Sequence, residues 1–463
     1  MNCDRNTPCL IAQIMRVIPT LAPIALIAAI ALTACQPQPS STADPNRTTA
    51  PTTPEATSPP EPQTVALTPL SPDNPDADVQ EIVDRYLDKL TALGFDRTQQ
   101  SVWVQTNDRL LAQWQGTQRL PAASVTKIAT TLTALRVLGA DHRFTTEVGI
   151  IGTVADGVLT GDLVVVGDRD PMLVWEDAIA IGNALNAQGI RQVTGDLVVV
   201  GDLLMNFEAD TATAAELLAI GLDASRWTDE ARSQHATLEP GTPEPQVAIG
   251  GIVRTAPLNA KPANLQPLLT YASRPLVELL DQMNRYSNNI IAQSLADTAG
   301  GAIALEREVI ATTGIDPNEI QLMNGSGLGR ENQLSPRAAV MMFRAIQREL
   351  APEGLTVADV VAVAGVDAGI LQARPLPKQV VLKSGSLDAV STIAGGIPTK
   401  NGVIWLAVMN GGGDTEALRS AQESLIAELE AYGGKTEAIA PELTPTPDRD
   451  LSPSLTLIQT PSP

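Results

Sequence analysis

Histidine and cysteine are almost missing from this chain, and the shortage narrows its chemistry before any motif is considered. Two histidines, His142 and His235, occur in 463 residues. A Ser-His-Asp triad or a histidine-rich zinc site has almost no raw material, so no metal is expected. The three cysteines, Cys3, Cys9 and Cys35, fall near the N-terminus. The folded part is therefore expected to hold no disulfide and no redox control. Positive charge is scarce as well, with 31 Lys and Arg against 52 Asp and Glu and a formal net charge of -21. A surface of that sign repels anionic polymers, which excludes nucleic acid as a partner and favours neutral, cationic or short ligands.

The length is too great for one ordinary core and suggests two folded lobes. After Arg16 comes an apolar run, Val17 to Ala34, with the charged start, apolar middle and small-residue end of a secretory signal. Met15 followed by Arg16 would already begin a complete signal. The ending Leu32-Thr33-Ala34-Cys35 resembles a bacterial lipobox, and that resemblance implies lipidation of Cys35 and anchoring to a membrane in the cell envelope, on the periplasmic side. The competing reading is an uncleaved membrane helix, for which about 18 apolar residues is the lower edge and Pro19 and Pro23 are unfavourable. Residues 35–77 then read as a lipidated cysteine and a disordered Pro/Thr/Ser tether, and residues 438–463 as a disordered tail.

Between tether and tail, Asp78 reads as the N-cap of a helix, with Val79, Ile82, Val83, Tyr86, Leu87, Leu90 and Leu93 at helical spacing. Ser101–Thr106 and Leu110–Gln115 read as a hairpin. Pro121 begins a helix running to about Leu138, and Ser273 is a plausible N-cap for a helix through Asn284 that breaks at Tyr286–Asn289. Gln379–Leu382, Val390–Ile397 and Val403–Val408 suggest an antiparallel meander, followed by a helix capped by Asp414. Within 148–258 short apolar runs alternate with Gly and Asp, and Thr160–Asp168 recurs unchanged as Thr194–Asp202. Two copies are too few for a solenoid, so they read as two similar strands of a β-rich insertion. Asp168, Asp170 and Asp202 read as turn residues rather than cation ligands.

Three short motifs carry the chemistry: Ser124-x-x-Lys127, Ser287-x-Asn289 and Lys383-Ser384-Gly385. Residues three apart share a helical face, so Ser124 and Lys127 can form an activated nucleophile and its base if the lysine is tuned toward neutrality. Of seven lysines, only Lys127 has a serine three residues before it, and only Lys383 is followed by Ser-Gly or Thr-Gly. Three single-copy motifs in this order are far more specific than any one of them. The loop Asn324–Arg330 is glycine-rich, but Arg330 occupies the third-glycine place of a dinucleotide fingerprint and no P-loop lysine follows. No cofactor is expected.

With these motifs the chain resembles the penicillin-binding D-alanyl-D-alanine carboxypeptidases/endopeptidases that carry a large insertion between the first two motifs. Pro121–Thr146, Gly161–Leu163 with Asp170-Pro171, Asn324–Arg330 with Ser335-Pro336, and Ala364–Arg374 look like family segments, and the likeness covers roughly Val79 to Ala431. The resemblance implies an α/β (α+β) fold, a β-lactamase/transpeptidase-like antiparallel sheet flanked by helices, with a helical subdomain and an inserted β-rich subdomain. Residues 78–147 and 259–437 would form the penicillin-binding domain and 148–258 the insertion. It implies Ser124 as nucleophile, Lys127 as base and Ser287 as proton relay. Asn289 would bind the peptide amide, Lys383 and Ser384 the terminal carboxylate, and the amides of Ser124 and Ser386 would form the oxyanion hole, with Gly385 and Ser386 also among the substrate-binding residues. Peptidoglycan peptides and β-lactams are the implied partners. Arg169 departs from the family pattern, standing where glycine is common. Two other readings share the motifs: a catalytically idle peptidoglycan-binding lipoprotein, and a serine β-lactamase. The nearest match to the deacylating Glu-x-x-Leu-Asn of the latter, Gly182–Asn186, lacks the glutamate.

Overall fold

The computed structural model describes residues 66–436, 440–447 and 457–459. Val17–Ala34 and Cys35 lie outside the described residues. The first helix, α1 (Ala77–Ala92), is capped by Asp76 rather than by the expected Asp78, because Asp76 Oδ1 reaches the amides of Asp78 and Val79. Asp78 instead lies in the first turn, where a negative charge favours the helix dipole. Strands β1 (Gln100–Gln105) and β2 (Leu110–Trp114) form the expected hairpin, and α2 (Lys127–Leu138) follows.

The chain then builds a separate sheet from β3 (Thr145–Ala155), β4 (Val158–Val166), β5 (Leu197–Val200), β6 (Val253–Ala256) and β7 (Gln266–Ala272). Helix α3 (Trp175–Ala187) connects β4 to β5, and α4 (Thr211–Gly221) lies between β5 and β6. The repeated sequence occupies β4 and β5, which pair in parallel with Leu163 beside Leu197 and Val166 beside Val200. Identical residues thus sit side by side, 34 positions apart, and β6 adds a third parallel strand. The insertion is therefore an α/β lobe rather than merely β-rich, because parallel neighbours need a crossover and the crossovers are helices. Its sheet runs from Thr145 to Ala272, wider than 148–258 at both ends, since β7 returns to pair antiparallel with β3.

Helices α5 (Leu276–Arg285), α6 (Asn289–Thr298), α7 (Gly301–Thr313) and α8 (Pro336–Leu350) follow. Ser273 does not cap α5. Its hydroxyl accepts from Phe144 N and donates to Arg274 O, and Pro275 holds the cap position, as expected where proline forces its predecessor out of helical geometry. The chain closes with β8 (Val381–Leu387), β9 (Val390–Thr399), β10 (Gly402–Gly411) and α9 (Thr415–Gly433), the last capped by Asp414 as expected.

The main sheet is antiparallel, in the order β8-β9-β10-β1-β2. Every residue of β9 is buried, which requires cover on both faces. Alternation along β1 and β10 supplies it. Val102, Val104, Leu406 and Val408 face a core shared with α1 and α9, while Trp103, Trp405, Ala407 and Met409 face the helical subdomain of α2 and α5–α8. The described parts of two segments expected to be disordered are docked. Leu67 N donates to Thr312 O and Leu70 O accepts from Arg337. In the tail, Leu443 is fully buried against the sheet, and β11 (Leu457–Gln459) pairs with β7.

Candidate active site

Ser124 lies in a single 3-10 turn, Ala123–Thr126, that runs into α2. Side chains three apart eclipse one another in such a turn, so Lys127 Nζ comes to 3.1 Å from Ser124 Oγ. A continuous helix from Pro121 is excluded because Pro121 belongs to a two-residue strand and Ala123 has φ 47°. Lys127 is completely buried, and its Nζ is also 2.7 Å from Asn289 Oδ1 and 2.7 Å from the carbonyl oxygen of Ser326.

The second motif is the turn between α5 and α6. Asn288 caps α6 by accepting from the amides of Ile290 and Ile291, which places Asn289 as the first helical residue, facing Lys127. Ser287, with φ 55°, is held in a left-handed conformation. A non-glycine residue there costs of order 1 kcal/mol and such residues concentrate at functional sites. Ser287 Oγ accepts from Lys383 Nζ at 3.0 Å, and Lys383, also fully buried, donates to Ser384 O at 2.9 Å. The motifs are thus cross-linked pairwise: the lysine of the first meets the asparagine of the second, and the lysine of the third meets its serine.

Burial pushes Lys127 down to about 7. Lys383 is lowered well below the usual lysine value, by burial first and then by the charge of Lys127.

Strand β8 closes the site from the other side. A Cβ on Gly385 would lie 2.6 Å from the Ser124 amide nitrogen and 2.5 Å from Thr392 Oγ1, so the strand can reach the Ser124 turn only with glycine here. Gly385→Ala is expected to spread strand and turn and to slow acylation at least about tenfold, with overpacking costing about 1–3 kcal/mol. Timed labelling by a fluorescent penicillin, set beside a urea melt, checks it; unchanged labelling would contradict the close packing. Ser386 is exposed, and its Oγ accepts from Arg419 Nη2 at 2.8 Å. Arg419 lies on α9 and belongs to no motif, so nothing in the sequence pointed to it. The Ser326 carbonyl was equally hidden, although its loop stood out for its glycines.

The three aspartates read as turn residues make local contacts: Asp168 accepts from Thr145 N, Asp170 from Met172 N, and Asp202 pairs with Arg169. Among the described residues no group of three or more His, Cys, Asp or Glu is placed to hold a metal ion. Arg169, the departure from pattern, has φ 59°, the conformation that explains a glycine preference, and its guanidinium bridges Asp202 of the lobe and Asp297 of α6. Gly182–Asn186 lies in α3, where Asn186 donates to Ile190 O and Gln246 O.

An antiparallel sheet between two helical layers, with an edge strand closing on a serine–lysine turn, is the architecture of the β-lactamase/transpeptidase-like proteins. Among solved structures, the penicillin G-acylated predatory endopeptidase Bd3459 of Bdellovibrio bacteriovorus, in complex with an immunity protein, superposes with a TM-score of 0.65 at 22% identity, over 78% of this chain and 99% of that one. The sequence pattern of the D-Ala-D-Ala carboxypeptidase 3 (S13) family matches residues 79–206 and 248–432. The chain belongs to this family of serine hydrolases. The D-alanyl-D-alanine carboxypeptidase of Actinomadura sp. (strain R39) is 24% identical over 434 residues, 71% of this chain and 80% of that protein. The carboxypeptidase DacB of Mycolicibacterium smegmatis is 25% identical over 372 residues, 69% and 78% of the two chains.

Proposed function

We propose that the protein is a serine D-Ala-D-Ala carboxypeptidase that trims peptidoglycan stem peptides, and also cuts cross-links as a D,D-endopeptidase, through an acyl-enzyme on Ser124. The observation that carries the reading is the fully buried Lys127 amine 3.1 Å from Ser124 Oγ. With its pKa near 7, it is uncharged in a large fraction of molecules at neutral pH and accepts the serine proton. Ser124 Oγ then attacks the carbonyl of the penultimate D-alanine, and the amides of Ser124 and Ser386 hold the developing oxyanion, a contribution often worth about 3 kcal/mol per donor. As the C–N bond breaks, the proton passes from Lys127 by way of Ser287 to the departing D-alanine amine. Water then hydrolyses the ester.

Asn289, whose Oδ1 faces Lys127, keeps its amide nitrogen for the substrate peptide. Lys383 and Ser384 take the terminal carboxylate. A buried lysine short of a counter-charge gains one when that carboxylate arrives, which raises its pKa again and fixes the anion. β-Lactams, which carry a reactive carbonyl beside a carboxylate, would acylate the same serine. Lipidation of Cys35 would hold the enzyme at a membrane facing the periplasm, and mass spectrometry of the membrane-bound product tests that part.

Fluorescent penicillin is expected to label the intact protein covalently and to leave Ser124→Ala unlabelled. Intact wild-type protein that never labels would overturn the reading, and rapid turnover of the label would identify a β-lactamase instead. Digestion of purified muropeptide monomers and cross-linked dimers side by side is expected to release D-alanine from the first and to split the second.

A further inference from the structure

The loop between Leu322 and Asn332 makes a contact that none of the three motifs includes. It connects the two-residue strands Ile320–Gln321 and Gln333–Leu334, and the second of these pairs with Leu120–Pro121, just ahead of the nucleophile turn. From this loop the carbonyl of Ser326 reaches Lys127 Nζ at 2.7 Å.

A neutral amine has two N–H groups and one lone pair. Two of the three neighbours of Nζ, Asn289 Oδ1 and Ser326 O, are oxygens that can only accept. They take both hydrogens, and the remaining direction, toward Ser124 Oγ, is left to the lone pair. Without the Ser326 oxygen one hydrogen would be free to turn toward Ser124 and the lone pair away from it. The aim of the base therefore depends on a backbone atom outside the motifs.

That atom is held firmly. Asn324 Oδ1 accepts from Ser326 N, Ser326 Oγ and Gly327 N, and its amide donates to Leu328 O. Asn332 Oδ1 accepts from the amides of Met323 and Asn324, while its nitrogen donates to Leu328 O and Gly329 O. Thr130, one turn along α2 from Lys127, donates to Gly325 O at 2.7 Å, and Gln293 of α6 accepts from Gly325 N at 3.2 Å. Gly327, with φ +80°, passes so near the nucleophile turn that a Cβ would lie 1.9 Å from Ala123 O. Both helices that carry the site grip the loop, and neither grip touches the reacting atoms.

We propose that the Asn324–Arg330 loop is a working part of the general base: the Ser326 carbonyl orients the Lys127 amine toward Ser124, and Thr130 and Asn324 are the positioning residues that hold this carbonyl in place. The proposal rests on the serine acylation reading and deepens it.

The test is the rate of acylation by a fluorescent penicillin, per active site, as a function of pH in the full-length wild type, Thr130→Val, Thr130→Ser and Asn324→Ala. Thr130→Val keeps the side chain's volume and removes the clamp. It is expected to slow acylation about ten- to a hundredfold, a part of the 10²–10⁴ that a positioned base contributes. Because a carbonyl binds an ammonium more strongly than an amine, loosening it also moves the acid limb of the profile to lower pH. Thr130→Ser keeps the hydroxyl and is expected to restore both rate and limb. Asn324→Ala repeats the result from the other side of the loop and stands in if Thr130→Val fails to fold. Variants that acylate at the wild-type rate would overturn the proposal. So would slower variants whose acid limb does not move, since that pattern belongs to packing alone. Failure of the serine reading itself is distinguishable, because the wild type would then not be acylated at any pH.

Discussion

Lys127→Met is expected to acylate about 10³- to 10⁴-fold more slowly than the wild type while remaining folded, the loss that follows removal of a well-placed general base. Lys127→Arg should be equally inert, because a guanidinium does not give up its proton in a protein. In the wild type the acylation rate should rise with pH through about 7, where the buried lysine becomes neutral, and then level off. The direction follows from the neutral form being the base. Rate profiles of penicillin labelling between about pH 5 and pH 9 check both statements. A profile without an acid limb near 7, or a Lys127→Met protein that labels at the wild-type rate, would remove Lys127 from the mechanism.

The same burial predicts that the inert protein is the more stable one. An unfolded lysine titrates near 10.5, whereas Lys127 does so near 7, and Lys383 is also depressed. Between these values the unfolded chain binds more protons than the folded one, so stability rises as pH increases across that window. Below about 7 the full cost of burying Lys127 is present. At roughly 1.4 kcal/mol for every tenfold change in proton affinity, this cost is about 4–5 kcal/mol. Methionine removes it but leaves the carbonyls of Ser326 and Asn289 without their donor, at about 1 kcal/mol or more each. The net expectation for Lys127→Met is a gain of about 1–3 kcal/mol at pH 7, with a smaller advantage at pH 9. Lys383→Met should shift the same way. Urea melts at the two pH values measure it, and a variant less stable than the wild type would mean that the hydrogen bonds outweigh desolvation.

The side chains that meet at the candidate site were legible in the sequence because each belongs to a short motif with its own spacing, and the helices and strands that carry them show ordinary periodicity. What escaped reading has a physical character in common. Ala123 has a positive φ in a turn that Gly327 approaches from one segment and Gly385 from another, and nothing in Pro121-Ala122-Ala123 announces it. The Ser326 oxygen belongs to the backbone and is spelled by no residue letter. The duplicated Thr-Gly-Asp-Leu segment was plain as a repeat, but parallel pairing depends on the helix between the copies, and that helix has no strong amphipathic pattern. Leu443 is one apolar residue in a Pro/Thr background, which reads as disorder although its side chain fills a gap beside Gly396 and Trp405. The pKa of Lys127 could be expected to fall, but the complete burial that lowers it is visible only in the fold.

The inserted lobe leaves the catalytic part at Thr145 and rejoins it at Ala272, and these two residues are partners in one antiparallel pair, whose Cα atoms in such ladders are about 5 Å apart. Ser124 and Ser287 are therefore far apart along the chain but almost adjacent in connectivity. The lobe joins the catalytic part through this two-strand base, and Arg169 ties it a second time, to Asp297 of α6. With both crossings at one ladder, the segments that carry the first and second motifs enter and leave the lobe side by side.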